Sequence, residues 1–192
     1  MQTLQTVDHY QQWLDHYRKW RGCTKCPLHK QRTRIVLARA ANGFPADLLF
    51  VGEAPGQNED TIGQPFMGPA GQLLDQIVER AVPVTMTTAY TNLCACLPRE
   101  AKKTNDHRPE KAEIEACRPR LDEMLEICCP RLVVCVGKLA ADWLNEDMER
   151  AGTKYVNIEH PAFILAHMPM AQKGFATMKC IIKIRNAIED LG

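Results

Sequence analysis

Short apolar runs alternate with longer amphipathic segments through most of the chain. The runs near 47–51, 89–93, 131–136 and 155–158 are strand-sized. They read as strands buried on both faces of a parallel sheet. Between them, 70–80, 108–127 and 138–144 have helical length and periodicity, and a last helix is predicted from about 175 to 191. Upstream, Tyr10, Trp13, Leu14 and Tyr17 recur at spacings of three and four, which predicts a helix over 7–20 whose aromatics make core or domain contacts. This alternation predicts a three-layer α/β/α architecture around a central, mostly parallel four-stranded sheet. No internal repeat, low-complexity tract or linker interrupts it. One domain over 1–192 is expected, with residues 1–45 as a cysteine-bearing N-terminal extension packed on it. Ligands of open sheets bind beyond the carboxyl ends of the strands, so the loops after the strands are where chemistry is sought.

Composition narrows the class. The chain has 192 residues, 45% hydrophobic and 24% charged, an ordinary globular balance. A chain of this length buries about 70% of its unfolded surface and needs no disulfides to hold a core. Nine cysteines, an odd number, and no apolar run after the opening Met-Gln-Thr-Leu-Gln point to a reducing, cytoplasmic setting. The densest apolar run, Leu132 to Val136, is far shorter than the ~18 residues of a membrane helix, so a soluble protein without membrane contact, and a monomer, is expected. The formal net charge is only +1, which excludes a strongly basic coat. Between His16 and Ala46, however, stand eight basic residues (Arg18, Lys19, Arg21, Lys25, Lys30, Arg32, Arg34, Arg39) and no acid. That stretch is either a local positive face or simply a solvated surface.

The loop after the first strand is the richest in candidate chemistry. It runs Gly52-Glu53-Ala54-Pro55-Gly56-Gln57-Asn58-Glu59-Asp60, then Gly63-Gln64-Pro65-Phe66-Met67-Gly68-Pro69-Ala70-Gly71-Gln72-Leu73-Leu74. It lacks the Gly-Lys-Ser/Thr ending of a phosphate loop, and its glycine spacing is not that of a dinucleotide fingerprint. It offers glycines that let backbone approach a ligand, two carboxylates at 53 and 59, and an aromatic ring held between Pro65 and Gly68. Such a set can stack a flat ring and address its edges.

The run from Gly52 to Leu74 resembles motif 1 of the uracil-DNA glycosylase superfamily, and its Gly-Glu-Ala-Pro-Gly opening resembles family 4. Tyr90-Thr91-Asn92-Leu93, the stretch Val133 to Ala141, and His160-Pro161-Ala162 extend the likeness in the family's order. The resemblance implies a monofunctional enzyme that flips uracil out of DNA, single- or double-stranded, and hydrolyses its N-glycosidic bond. In that role Phe66 stacks on the base, Gly52 lines the pocket, and the Asn92 amide donates to O4 and accepts from N3–H. Cytosine presents the opposite pattern and is rejected. His160 is the candidate donor to uracil O2. Glu53 takes the acidic position, either orienting the attacking water or stabilising the cationic sugar. Glu59 falls where the family sets a side chain near the C5 edge, against thymine's methyl group.

Cys23-Thr24-Lys25-Cys26 is a metal-type pair, since two thiolates separated by two residues can face one centre. The resemblance implies a [4Fe-4S] cluster held by Cys23, Cys26, Cys96 and Cys117, with Cys94 as the rival to Cys96. A set of four cysteines also suits zinc. Between Cys96 and Cys117 the portion Glu100 to Asn105 reads as an insertion. Cys128, Cys129, Cys135 and Cys180 read as small buried hydrophobes. The stretch Phe163 to Pro169 is either an apolar wedge for the base stack or the start of a core helix. Ala166 stands there where relatives usually carry a basic residue, and His167 or Lys173 could supply the phosphate contact instead. The rival to an active uracil enzyme is a glycosylase fold kept for binding DNA or a protein, or one acting on a modified uracil.

Overall fold

The structure is a computed structural model that describes residues 8–98, 108–144 and 152–192. The expected insertion at 100–105 lies outside the described residues. In chain order the elements are α1 (His9–Trp20), a 3-10 turn (Pro27–Lys30), β1 (Ala38–Ala40), β2 (Leu48–Gly52), α2 (Gln57–Ile62), α3 (Pro69–Ala81) and β3 (Thr88–Asn92). They continue with α4 (Lys111–Cys128), β4 (Leu132–Val136), α5 (Lys138–Leu144), β5 (Lys154–Ile158), α6 (Pro161–His167) and α7 (Met170–Glu189).

The sheet has five strands in the order β1-β3-β2-β4-β5, one more than the sequence pattern predicts. The four expected strands run parallel, and the additional β1 lies antiparallel at the edge against β3. Ala38-Arg39-Ala40 contains no apolar run to betray a strand, because an edge of three half-buried residues needs none. Residues assigned to an extension outside the sheet thus contribute a strand to it.

Alternate residues of the buried strands feed two cores. Leu49, Val51, Ala89, Val133 and Cys135 face α4 and α5, with Trp13 of α1 packed against that layer. Leu48, Phe50, Tyr90, Leu132, Val134 and Ile158 face the opposite way, onto Leu74 and Ile77 of α3, Ile164 of α6 and Ile181 and Ile184 of α7. The result is the expected three-layer α/β/α arrangement.

Chain order now locates a crevice. From β2 the chain passes through α3 on one face to β3; from β4 it passes into α5 on the other face. β2 and β4 are neighbours whose following segments leave in opposite directions, which opens a gap beyond their carboxyl ends. Gly52-Glu53 and Gly137 stand at that gap. Asn92 pairs in register with Gly52 on one side, and Val136 pairs with Ile158, just before His160, on the other.

Candidate active site

Phe66, from the loop between α2 and α3, and Asn92, at the end of β3, meet at the carboxyl end of β2, while His160 follows the end of β5. Gly52 ends β2 between two of them. A methyl group built on its Cα would lie 2.6 Å from Phe66 Cζ and closer still to Asn92 Oδ1. Only a glycine lets the aromatic ring and the amide flank this backbone together. Both side chains are buried, Phe66 at 7% exposure and Asn92 at 3%.

Phe66 has a left-handed backbone (φ 56°), costly for a residue with a side chain, so its surroundings must hold it there. Glu59 does so. Its Oε1 accepts from the amides of Met67 (2.8 Å) and Gly68 (2.8 Å), and its Oε2 from Gly56 (3.0 Å), where it also closes the capping box of α2. Arg39 adds a further hold, donating to the Pro65 carbonyl at 3.0 Å and to Asp75 at 2.7 Å while lying 4.0 Å over the Tyr90 ring. Tyr90 meets Phe66 edge-on, with centroids 6.1 Å apart.

Glu59, expected to face the C5 edge of a base, has its carboxylate turned to these amides. Three backbone donors surround the buried carboxylate, so its work is to set the loop that carries Phe66. Glu53 follows β2 directly, half-buried at the mouth of the crevice, and its carbonyl accepts from the Cys94 amide at 3.1 Å.

His160 stands across the gap. It caps α6, its Nδ1 accepting from the Ala162 amide at 3.1 Å. With Nδ1 an acceptor, the proton of the neutral ring sits on Nε2, which makes that nitrogen the available donor. Burial holds the imidazole below the ordinary histidine range and so favours the neutral form. Gly137, at φ 94°, permits the approach: a methyl there would lie 3.0 Å from His160 Cβ. Three inter-strand spacings of ~4.8 Å separate the Asn92 and His160 strand ends.

The stretch after His160 is helical, α6, rather than a loop. Ile164 is buried in the core, whereas Phe163 (46% exposed) and Leu165 point outward. The expected core helix is therefore present, with Phe163 and Leu165 on its outward face.

A small cavity is lined by Cys23, Cys26, Cys96 and Cys117 together, with Trp20, Arg32 and Arg120. Cys94 does not line it. That residue is buried in the α4-side core and donates to Cys117, a bond that with burial keeps its own thiol protonated. The same bond, with Arg120 nearby, draws Cys117 down to about 5. Arg32 Nη1 donates to the Cys96 sulfur at 3.2 Å, although burial pushes this thiol up to about 11. Among the described residues no three His, Cys, Asp or Glu side chains converge as a single-ion centre. Of the remaining cysteines, Cys128, Cys135 and Cys180 are buried as expected, but Cys129 is exposed, because it ends α4 in a left-handed turn (φ 45°).

The basic stretch proves to be partly engaged inside the molecule. Lys19 pairs with Glu123, Arg39 with Asp75 and Arg32 with Cys96, while Arg21, Lys25, Lys30 and Arg34 remain exposed. Sequence reasoning missed Arg39 and Arg120, whose partners are remote in the chain. Arg120 alone left a signal, a charge on the apolar stripe of the α4 segment. Among the described residues no helix is long and apolar enough to cross a membrane.

Comparison with known proteins agrees with this geometry. Residues 42–183 match the family described as the uracil DNA glycosylase superfamily. Among curated proteins, the chain is 38% identical to a type-4 uracil-DNA glycosylase of Sulfurisphaera tokodaii, over 66% of this chain and 54% of that protein. It is 35% identical to one of Pyrobaculum aerophilum (72% and 67%) and 33% identical to one of Archaeoglobus fulgidus (74% and 78%). The match thus spans only about half the length of the Sulfurisphaera relative.

Proposed function

Because this chain belongs to the uracil DNA glycosylase superfamily, alongside its type-4 members, we propose that it releases uracil from DNA by hydrolysing the N-glycosidic bond and leaves an abasic site. The observation that carries this reading is the convergence of Phe66 and Asn92 on Gly52, with His160 across the β2/β4 crevice.

The nucleotide must leave the duplex before its glycosidic bond can be reached. In the crevice the base lies on Phe66. The Asn92 Nδ2 donates to uracil O4 and its Oδ1 accepts from N3–H. As the C1′–N1 bond breaks, its electron pair leaves with the base and spreads onto O2 and O4, while positive charge develops on the sugar. His160 Nε2–H donates to O2, strengthening as that charge grows, and the Ala162 amide on Nδ1 fixes the ring so that no reorientation is needed. Glu53, at the mouth of the crevice, supplies the negative charge opposite the sugar cation. Water then adds at C1′ and gives its proton to solvent, from which the departed uracil anion takes one back at N1. Phe163 and Leu165, on the outward face of α6, fill the gap left in the base stack.

Cys23, Cys26, Cys96 and Cys117 are the residues we assign to a [4Fe-4S] cluster. Their fit rests on the donor set: all four cysteines line one cavity, and four thiolates are the ligand set that such a cluster would take. The cluster when bound would crosslink the N-terminal segment to β3 and α4, with no redox part in base release. Brown colour bleached by dithionite is expected, and a colourless zinc protein would contradict it.

The reading is tested by incubating the protein with single- and double-stranded oligonucleotides carrying one uracil, followed by alkali. Cleavage at the uracil is expected, faster in single strands and G·U mispairs than in A·U pairs, since unpairing costs least there. Intact strands with undiminished DNA binding would favour a binding module instead.

A further inference from the structure

Arg120 lies on the apolar stripe of α4, 1% exposed, among the core leucines and methionine of that helix. Its Nη1 donates to Thr91 Oγ1 at 2.9 Å and to the Leu37 carbonyl at 3.4 Å. Its Nη2 donates to the Leu93 carbonyl at 3.0 Å and to that of Asn92. These contacts grip the end of β3 at the residue that reads the base. On its other side the same guanidinium lines the four-cysteine cavity, together with Cys117 one turn earlier on α4.

Among the described residues Arg120 forms no ion pair with a carboxylate, and its Nε has no hydrogen-bond partner. Its oxygen partners are neutral. A buried cation in such company is costly unless an anion stands nearby. Four cysteine thiolates with a [4Fe-4S] core carry net negative charge, and they would do so in the cavity that Arg120 already borders.

We propose that Arg120 is a positioning residue joining the two sites: it balances the charge of the occupied cysteine cavity and, through the Asn92 and Leu93 carbonyls, fixes the amide that reads the base. The inference rests on the function proposed above. It assigns Arg120 no contact with substrate. An occupied cavity holds the guanidinium in place, and the guanidinium holds the end of β3; loss of the anion leaves both loosened.

The test uses the holoprotein with Arg120→Lys and Arg120→Met. Two quantities are measured: the rate at which a chelator strips iron, followed by visible absorbance, and kcat and KM on a single-stranded uracil oligonucleotide. Lysine keeps the charge but cannot hold Thr91, Asn92 and Leu93 at once. R120K is expected to release iron within about threefold of the parent rate, with KM within about twofold and kcat at least about tenfold lower. R120M is expected to release iron at least about tenfold faster than R120K, since it removes the charge as well. Should R120M fail to fold, R120K against the parent chain still decides the matter.

R120K with unaltered kcat would remove the positioning role. Iron release from R120K as fast as from R120M, or far faster than from the parent, would remove the charge-balancing role, as would a parent chain that binds no iron. A parent chain that binds iron yet releases no uracil would overturn the glycosylase reading, and the iron-release comparison would still judge Arg120.

Discussion

The base crevice and the cysteine cavity are built on opposite principles. The crevice is set by backbone: Glu59 gathers three amides, Arg39 holds a carbonyl, and Gly52 and Gly137 admit their neighbours by having no side chain. The cavity is set by side chains remote in sequence. Glu123 of α4 accepts from His16, Lys19 and Trp20 of α1, Arg32 reaches Cys96, and Arg120 bridges inward. A pocket fixed by backbone keeps its shape without a ligand, which suits a site that must be ready for a base before it arrives. One fixed by charges has its shape only when those charges balance, which suits a structural crosslink.

That contrast can be broken first at His160. His160→Ala removes a preorganised donor and is expected to lower kcat by roughly 10²- to 10³-fold while leaving iron content and colour untouched, measured by single-turnover uracil release and visible absorbance. Loss of colour in this variant would mean the two regions are not separable. From the other side, Cys96→Ser is expected to lose the visible absorbance and Cys94→Ser to keep it, because only Cys96 lines the cavity. The reverse result would move the ligand assignment to Cys94.

A pH titration sharpens the comparison further. His16 is held down at about 4, chiefly by burial, with Arg120 adding to the effect and its Nε2 left without a partner. The folded state thus resists a proton that the unfolded chain accepts near 6.5. The stabilisation is complete above that pH and is lost as pH falls toward 4, by roughly 3 kcal/mol in all. His160, also lowered by burial, acts in the same direction. Urea midpoints at about pH 7 and about pH 4.5 should therefore differ by less in His16→Gln than in the parent. An equal drop in both would place the acid sensitivity elsewhere. The smallest effect is expected at Phe163→Ala: little change on single-stranded uracil DNA and a several-fold loss on duplex, where a base stack needs filling.

Much of this was legible in the chain. β2 and β4 are continuous apolar runs, β3 and β5 mix apolar with polar residues, and the groups proposed to meet a base follow their carboxyl ends, so motif and topology point to the same crevice. β1 was not legible, since three half-buried residues carry no pattern. α2 carries little helical signal because it is only six residues long, although the Gly56-to-Glu59 spacing of its capping is present in the sequence. α7 begins five residues earlier than its pattern predicts, at Met170 instead of Phe175. Pro169 starts it, while Gly174, a poor helix former, weakens the signal in its first turns. Arg39 and Arg120 act through partners 26 to 83 residues away, a relation that no local spacing encodes.

The most direct measurement is a crystal structure of the protein with free uracil. The ring is expected on Phe66, with O4 and N3 on the Asn92 amide and O2 within hydrogen-bond reach of His160 Nε2. Uracil bound with His160 on any other edge, or away from Gly52 altogether, would contradict the account.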